Sequence, residues 1–238
     1  MLDVLAIGAH PDDCEIGMAG AILSLKQQGY KVGVCDLCRG ESGTYGSAET
    51  RKAELDNASE ILGLDARITL DMPDGNIRDT EENRLKLIDV IRQYRPAIVF
   101  GFYPELQRHP DHYQAGMIVK ECVFLAGLEK LVSAHPAYRP SQLIYFKLLI
   151  FHDRPDFVVD VTEFWEQKLQ SIRAYGSQVT AEGEDDRSTK TFIRSNAFWN
   201  VLEARCTSAG SLIGVRYGEP FYCDAPPSIT DIPTAFRR

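Results

Sequence analysis

Two short segments hold most of the residues in this sequence that can perform chemistry. The first, AHPDDCEIG at 9–17, sets one histidine beside three carboxylates directly after an apolar run. The second, RHPDHYQAG at 108–116, adds two histidines and one aspartate. Together they contain three of the five histidines in the chain, His10, His109 and His112. Two histidines with one carboxylate, leaving a position for water, are a common ligand set for catalytic zinc, so the pattern predicts a metal site.

A metal at such a site suits the hydrolysis of an amide. The ion lowers the pKa of a bound water from 15.7 to roughly 7 and polarises a carbonyl group. The water also needs a base to take its proton, and a carboxylate beside the metal can do this. HPDD offers two consecutive aspartates, Asp12 and Asp13, so one can bind the metal while the other stays free. Their spacing alone leaves open which of them does which.

The elements that position these segments are predicted by hydrophobic periodicity. Strand-like runs alternate with helical segments through the first two-thirds of the chain, which predicts right-handed βαβ units. We therefore expect an α/β fold: a doubly wound, Rossmann-like, mostly parallel sheet flanked by helices, with the strand order 3-2-1-4-5. One domain is expected over 1–238, with a core at about 1–130 and a small C-terminal α+β extension at about 141–238. The strand-like runs lie at 2–8, 31–37, 67–70 and 97–102.

The two chemical segments are predicted to meet at one place in this fold. In an open α/β sheet, ligands bind beyond the carboxyl ends of the strands, where the strand order reverses. Segment 9–17 follows the first strand, and segment 108–116 follows the fourth. Two stretches about 100 residues apart in sequence are therefore expected to share one crevice.

The C-terminal third of the chain shows a different rhythm. The runs SQLIYFKLLI and DFVVDV can add strands, and TEFWEQKLQSIRAYG predicts a helix that Thr162 caps through a capping box. A further helix is expected at about 192–209. The polar, charged stretch 180–191 indicates an exposed loop.

Charge and composition exclude several function classes. The formal net charge is −8 and no run of clustered Lys and Arg is present, which excludes a nucleic-acid partner. No stretch approaches the roughly 20 apolar residues of a membrane span and no basic leader is present, which favours a cytoplasmic protein without a membrane partner. The sequence also lacks GxGxxG, GxxxxGKS/T, GxSxG and HExxH, so nucleotide binding and serine hydrolysis lose their main support.

The six cysteines are scattered and, without a secretion signal, are expected to be reduced. Cys35 and Cys38 have CxxC spacing, but no second CxxC is present to complete a four-cysteine zinc site. The pair also ends a strand-like run instead of opening a helix. We therefore interpret both as packed side chains rather than a redox or metal site.

The paired motifs AHPDDCEIG and RHPDHYQAG resemble those of the PIG-L/LmbE-like family of zinc-dependent N-acetylglucosaminyl deacetylases. The resemblance extends to about SLIGVRYGEPF at 211–221 and is greatest to the bacterial branch that deacetylates N-acetylglucosaminyl-malate in bacillithiol biosynthesis. It implies a zinc-dependent N-deacetylase that acts on a small-molecule sugar conjugate, holds one Zn²⁺ per subunit and forms a homo-oligomer. Fe²⁺ or Co²⁺ also suits two histidines and one carboxylate.

The resemblance also implies a role for each central motif residue. His10, Asp13 and His112 would bind the zinc ion, and Asp12 would be the general base that activates water. A protonated His109 would stabilise the oxyanion or protonate the leaving amine.

Four further residues receive supporting roles. Arg51 corresponds to an arginine near the substrate, although an exposed helix charge is the alternative interpretation. Arg108 is, on position alone, a candidate for contact with the malyl carboxylates. Glu15 is expected to brace the loop or favour the helix N-terminus, and Asp111 to orient either His109 or a metal-binding imidazole.

Two alternatives are open on the sequence alone. Another N-acetylglucosamine derivative, such as a chitin disaccharide, needs the same chemistry and differs only in the aglycone. A non-catalytic zinc-binding protein could use the same ligands to stabilise its fold, although structural zinc sites are closed by four protein ligands.

Overall fold

The computed structural model describes residues 1–105, 109–149, 154–180 and 191–232. Within these residues the chain forms seven strands and six α-helices. The strands are β1 Val4–Gly8, β2 Val32–Asp36, β3 Ala66–Thr69, β4 Ile98–Phe102, β5 Gln142–Phe146, β6 Phe157–Asp160 and β7 Gly218–Cys223. The helices are α1 Asp13–Gln27, α2 Ala48–Leu62, α3 Glu81–Tyr94, α4 Pro110–Leu125, α5 Trp165–Arg173 and α6 Asn196–Ile213.

The strands form a sheet with the order β3-β2-β1-β4-β5-β7-β6. The first five strands pair in parallel, and β7 pairs antiparallel with both β5 and β6. The predicted order 3-2-1-4-5 is therefore confirmed, and the C-terminal strands extend it with an antiparallel edge. Because β1 lies directly beside β4, the segments that follow these two strands start at neighbouring points of the sheet edge.

Burial explains why the central strands were recognisable as continuous apolar runs. Every residue of β1 and of β2 is buried. A parallel strand covered by helices on both faces has no polar side to show in its sequence. Helices α1, α2 and α5 pack against one another, and α3 packs against α4. The right-handed crossovers place these two groups on opposite faces of the sheet.

Helix ends follow local signals in the first half of the chain. Thr80 accepts a hydrogen bond from the backbone N–H of Asn83 and caps α3. Gly63 ends α2 with φ 63°, as expected for a glycine in the left-handed region. None of the helices in the described ranges is long and apolar enough to cross a membrane.

The C-terminal third departs from prediction in two places. The capping box at Thr162 is wrong: Thr162–Phe164 is a short 3₁₀ turn, and α5 begins at Trp165. The Thr162 hydroxyl instead pairs with the backbone of Tyr217, just before β7. The helix expected at 192–209 begins and ends later, at Asn196–Ile213. The loop predicted at 180–191 falls, apart from its two end residues, outside the described residues.

Candidate active site and metal centre

The two motif segments meet beyond the carboxyl ends of β1 and β4. His10 lies in the turn between β1 and α1, whereas His109 caps the N-terminus of α4 and His112 lies in its first turn. The ring centroid of His10 is 4.6 Å from that of His109 and 5.4 Å from that of His112. Nitrogen atoms of the three rings lie within 4.8 Å of one another and could hold a metal ion. The sequence-based expectation that both segments share one crevice is therefore confirmed.

Asp13 joins the two segments. Its Oδ1 lies 3.3 Å from His112 Nε2, and its Oδ2 lies 3.4 Å from His10 Nδ1. Oδ2 also accepts hydrogen bonds from the backbone N–H groups of Ala9 and His10, at 3.0 and 2.8 Å. Burial alone would raise the pKa of Asp13, but the charge of His112 and the hydrogen bonds from both rings hold it well below its usual range. The carboxylate is thus ionised and directed between two imidazoles.

The outer nitrogen of His10 is held by two other carboxylates. His10 Nε2 lies 3.2 Å from Asp111 Oδ2 and 3.2 Å from Asp74 Oδ1. Asp111 is fully buried, and its two oxygens accept hydrogen bonds from the N–H groups of Gly75 and Ile77. Asp111 was expected to orient either His109 or a metal-binding imidazole, and its side chain contacts His10, one of the proposed metal ligands. A carboxylate on the outer nitrogen fixes the ring so that Nδ1 faces Asp13.

Asp74 was missed by the sequence reasoning. It lies in the loop after β3, within MPDG, which is typical of a simple turn. The signal that could have found it is its position, because a carboxylate after the third parallel strand lies at the same sheet edge as His10. His10, Asp74 and Cys38 also form a second set of possible ligand atoms within 4.8 Å of one another.

Asp12 sits beside the group without joining it. Its backbone has φ 117°, in the left-handed region, and the side chain is buried. Burial and the adjacent negative charge of Asp13 raise the pKa of Asp12 to about 8, while Arg51 and His10 act in the opposite direction. Within the described residues, no hydrogen bond occupies its carboxylate. The side chain is thus available to exchange a proton with a bound molecule.

Arg51 is buried, so its interpretation as an exposed helix charge is wrong. Only 6% of its surface is exposed. Its Nη2 donates to the carbonyl oxygen of Pro11 at 3.3 Å. Nε and Nη1 are buried and have no hydrogen-bond partner among the described residues. A buried cation with free donors beside Asp12 is well placed to bind an anionic or polar ligand.

His109 is half-buried and less basic than the resemblance implies. Its Nδ1 accepts a hydrogen bond from the backbone N–H of Asp111 at 3.3 Å. Burial and the positive charges of His10 and His112 lower the pKa of His109. This opposes the protonated form, whereas a negative charge developing in the crevice would favour it.

Glu15 lies beneath the turn in a charged network. It is fully buried, and its Oε1 accepts hydrogen bonds from Arg67 Nη1 at 2.6 Å and from the Tyr175 hydroxyl at 2.9 Å. Arg67 also donates to both oxygens of Asp36, at 2.7 and 2.8 Å. These contacts tie the start of α1 to β2, β3 and the C-terminal part of the chain. Glu15 is thus in a position to brace the loop, as expected.

Arg108, Cys35 and Cys38 are the remaining residues that the sequence singled out. Arg108 lies outside the described residues. All six cysteines are free, and Cys35 and Cys38 are fully buried. Burial raises the pKa of Cys38 to about 12, which keeps its thiol protonated and unreactive at neutral pH.

The fold, and the His–Asp group at the point where the strand order reverses, are those expected of an α/β metal-dependent hydrolase. Comparison with known proteins makes the class specific. Residues 5–123 match the family described as "PIG-L: GlcNAc-PI de-N-acetylase". The chain belongs to this family, as its two motifs indicated, and is an N-deacetylase, a hydrolase of amide bonds.

Two curated relatives are named as deacetylases, and a solved structure shares the fold. The chain is 34% identical over 192 residues to the diacetylchitobiose deacetylase of Thermococcus kodakarensis, covering 74% of this chain and 69% of that protein. It is 27% identical over 216 residues to the probable N-acetyl-α-D-glucosaminyl L-malate deacetylase 2 of Bacillus cereus, covering 82% and 96%. The crystal structure of a conserved protein from Thermus thermophilus superposes with a TM-score of 0.87 at 34% identity, covering 98% of this chain and 99% of that chain.

Proposed function

We propose that this protein removes the N-acetyl group from an N-acetylglucosaminyl conjugate, with N-acetylglucosaminyl-malate as the substrate and one zinc ion per subunit. The observation that carries the proposal is the position of Asp13 between the rings of His10 and His112, with the Asp12 carboxylate left free beside them. This separates a ligand from a base within two consecutive residues.

The chemistry of the donor set fits zinc. His10, Asp13 and His112 would hold the ion, and two imidazoles with one carboxylate leave room for water and substrate. The buried, ionised Asp13 also favours a cation next to it. Zinc bound there would supply a Lewis acid for the acetamide carbonyl and for the attacking water. Because Fe²⁺ and Co²⁺ suit the same ligands, the metal content of the purified protein is part of the test.

Asp12 and His109 divide the proton transfers between them. A cation bound beside Asp12 would lower its pKa from about 8 and favour the carboxylate, which accepts a proton from water. His109 faces the same crevice from the start of α4, where its ring donates a hydrogen bond to the oxyanion or a proton to the leaving amine. A well-placed oxyanion donor typically lowers the activation barrier by about 3–4 kcal/mol. Acetate and a free amino sugar are the products.

The choice of the malate conjugate rests on charge. Arg51 offers two buried nitrogen donors that have no partner among the described residues, which suits a carboxylate better than a neutral hydroxyl group. Arg108 stays a proposal for a second carboxylate contact. The name of the Bacillus cereus relative supports this substrate, whereas that of the Thermococcus kodakarensis relative supports diacetylchitobiose.

The substrate is tested by incubating zinc-loaded enzyme with a panel of acetylated sugars and following the loss of an acetyl group by mass spectrometry. The panel contains N-acetylglucosaminyl-malate, its methyl diester, diacetylchitobiose and free N-acetylglucosamine. We expect the malate conjugate to react fastest and the diester to react more slowly, because esterification removes the charges that Arg51 would bind. Equal rates on the conjugate and on free N-acetylglucosamine contradict conjugate specificity, and a faster reaction of diacetylchitobiose assigns a chitin-type substrate instead.

The oligomeric state, the location and the partners of the protein are also part of the proposal. We expect a homo-oligomer acting in the cytoplasm, without nucleic-acid or membrane partners. The formal net charge of −8 supports the absence of a nucleic-acid partner.

Replacing Arg51 with glutamine is expected to shift the pH profile of kcat/KM. Arg51 lowers the pKa of Asp12, so removal of its charge disfavours the carboxylate and raises that pKa. Since the base works only when ionised, the acidic limb of the profile should move upward by about 1 pH unit, the lower end of the effect of a close opposite charge. The measurement is kcat/KM between pH 5 and 9, roughly the range in which perturbed catalytic carboxyl groups titrate.

Lys52→Gln is the matched control for this profile. Lys52 is the next residue along α2, is exposed, and pairs with Asp56 at 2.6 Å. Its removal should leave the acidic limb in place. An unshifted limb in Arg51→Gln would show that Arg51 does not act on the base.

A further inference from the structure

Helix α1 is interrupted soon after it leaves the site. Met18 has φ −153° and ψ 21°, which breaks the helix into a short first segment carrying Asp13 and a longer second one. A break leaves backbone N–H groups after it and carbonyl groups before it without their usual partners. All residues from Asp13 to Leu23 are buried, so water cannot take over these bonds.

A single carboxylate takes up the free N–H groups. Glu219 on β7 accepts from Gly20 N–H through Oε1 at 3.1 Å and from Ala21 N–H through Oε2 at 2.7 Å. A Cβ at residue 20 would lie 3.2 Å from Glu219 Oε1 and 2.6 Å from Val161. The glycine therefore permits Glu219 to come close to the helix backbone. Glu219 therefore caps the second segment of α1 in the way that an acid caps a helix N-terminus.

Two cations take up the carbonyl groups. Lys168 Nζ on α5 donates to the carbonyl oxygens of Ile16 at 2.8 Å and Glu15 at 3.3 Å. Arg205 Nη2 on α6 donates to the carbonyl oxygen of Gly17 at 3.3 Å. In a regular helix these carbonyls would receive the N–H groups of residues four positions later. The charges match the end they contact, because cations favour a helix C-terminus.

Lys168 and Glu219 form one unit inside the break. Their Nζ and Oε1 atoms are 2.6 Å apart, and both side chains are fully buried. A buried pair of this kind is sustained only when further hydrogen bonds satisfy both charges, and the broken helix supplies them. The pair thus fixes where α1 stops and restarts.

The break also connects to the second motif segment through packed rings. A Cβ at Gly17 would lie 2.6 Å from the ring of Phe146, so that ring fills the space beside the first segment. Phe146 packs against Phe102 with centroids 4.8 Å apart. Phe102 stacks on His112 at 4.5 Å and 9°. Movement of the first segment of α1 would therefore displace residues on both sides of the crevice.

We propose that Lys168 and Glu219 are positioning residues that hold the first segment of α1, and with it Asp12 and Asp13, in the geometry needed to bind the metal. The proposal rests on the metal site proposed above. The C-terminal part of the chain, which lies outside both motifs, would thus help to determine metal affinity. Neither side chain is assigned a contact with substrate.

The test compares the double variant Lys168→Met/Glu219→Gln with the unchanged enzyme. The double variant is chosen because removing one partner alone leaves an unpaired buried charge. We expect zinc affinity, measured by chelator competition, to fall about 10–100-fold, the range typical for loss of the groups that orient metal ligands. We also expect kcat to fall more than KM rises, and the amides of Gly20 and Ala21 to exchange hydrogen faster. Zinc affinity is measured without substrate. A wrong malate assignment would therefore leave this result unchanged, and the two failures can be told apart.

Tyr217→Leu is the control for stability alone. The Tyr217 ring stacks on Trp165 at 4.2 Å and its hydroxyl donates to Glu203, so its loss weakens the C-terminal region without removing the hydrogen bonds that Lys168, Glu219 and Arg205 make at the break. Its zinc affinity should stay within about twofold of the unchanged enzyme at a comparable loss of Tm. If this double variant does not fold, Lys168→Gln/Glu219→Gln is used, because it removes both charges and keeps hydrogen-bonding groups at both positions, with a smaller loss of affinity expected. Unchanged zinc affinity in a folded double variant, or an equal loss of affinity in Tyr217→Leu, would overturn the proposal.

Discussion

Replacement of Asp12 by asparagine is expected to lower kcat by about 10²–10⁴-fold, the usual contribution of general acid–base catalysis, while zinc binding is retained. The amide has nearly the shape of the carboxylate but cannot accept the proton of the attacking water. Asparagine also tolerates the positive φ of 117° at this position, so the turn should keep its shape. The measurement pairs kcat on the best substrate of the panel with metal content by mass spectrometry.

The outcome separates two roles of neighbouring acids. Asp56→Asn, which changes an exposed aspartate on α2, is the control and should leave kcat unchanged. Loss of zinc together with activity in Asp12→Asn would make Asp12 a ligand instead of a base. Full activity with full zinc content would place the base elsewhere in the crevice.

Replacement of His112 by glutamine is expected to remove both the metal and the activity. His112 is one of the two imidazoles on Asp13, with its Nε2 3.3 Å from Oδ1. Without it the ion keeps only two protein ligands, and the several kcal/mol that a metal contributes to the transition state are lost, so kcat should fall about 10³-fold or more. Zinc content after dialysis and kcat after zinc is added back are the two measurements.

Unchanged enzyme stripped with a chelator should recover on addition of zinc, and His112→Gln should not. The matched control is His135→Gln, because this histidine lies outside the cluster of three rings. Stoichiometric zinc in His112→Gln after dialysis would refute the proposed ligand set.

The fold was largely predictable because burial leaves a simple trace in the sequence. Strands β1 and β2 are buried throughout, so they appear as apolar runs, and the handedness of crossovers then restricts the strand order. The antiparallel position of β7 between β5 and β6 was not predictable, because these partners are distant from it in sequence. The capping box predicted at Thr162 was wrong for the same reason, because its hydroxyl accepts a hydrogen bond from the distant Tyr217 N–H.

The site was predictable in its central residues and not in their supports. His10 and His112 follow strands that the topology makes neighbours, so their meeting could be inferred. Asp74 was hidden because a turn sequence does not reveal which side chains face it. The exposure of Arg51 was equally undetermined, since a charged residue on a helix is usually solvated.

The interruption of α1 was beyond local reasoning altogether. Ile16, Ala19 and Ile22 form an apolar stripe that predicts a regular helix. The backbone groups on either side of the break at Met18 are bound by Lys168 and Glu219, which lie on α5 and β7. Such a feature needs the folded chain, because its partners have no sequence relation to the helix they divide.

The backbone of Asp12 carries a consequence for anyone who wishes to engineer this enzyme. A φ of 117° is a conformation that glycine adopts freely and that other residues adopt under strain. Glycine at this position would relax the turn and remove the proposed proton acceptor in the same step. Selection for heat resistance alone would therefore favour an inactive protein here, and the two properties oppose each other at one residue. Libraries aimed at a more robust catalyst should keep position 12 fixed and seek their gains in other parts of the chain.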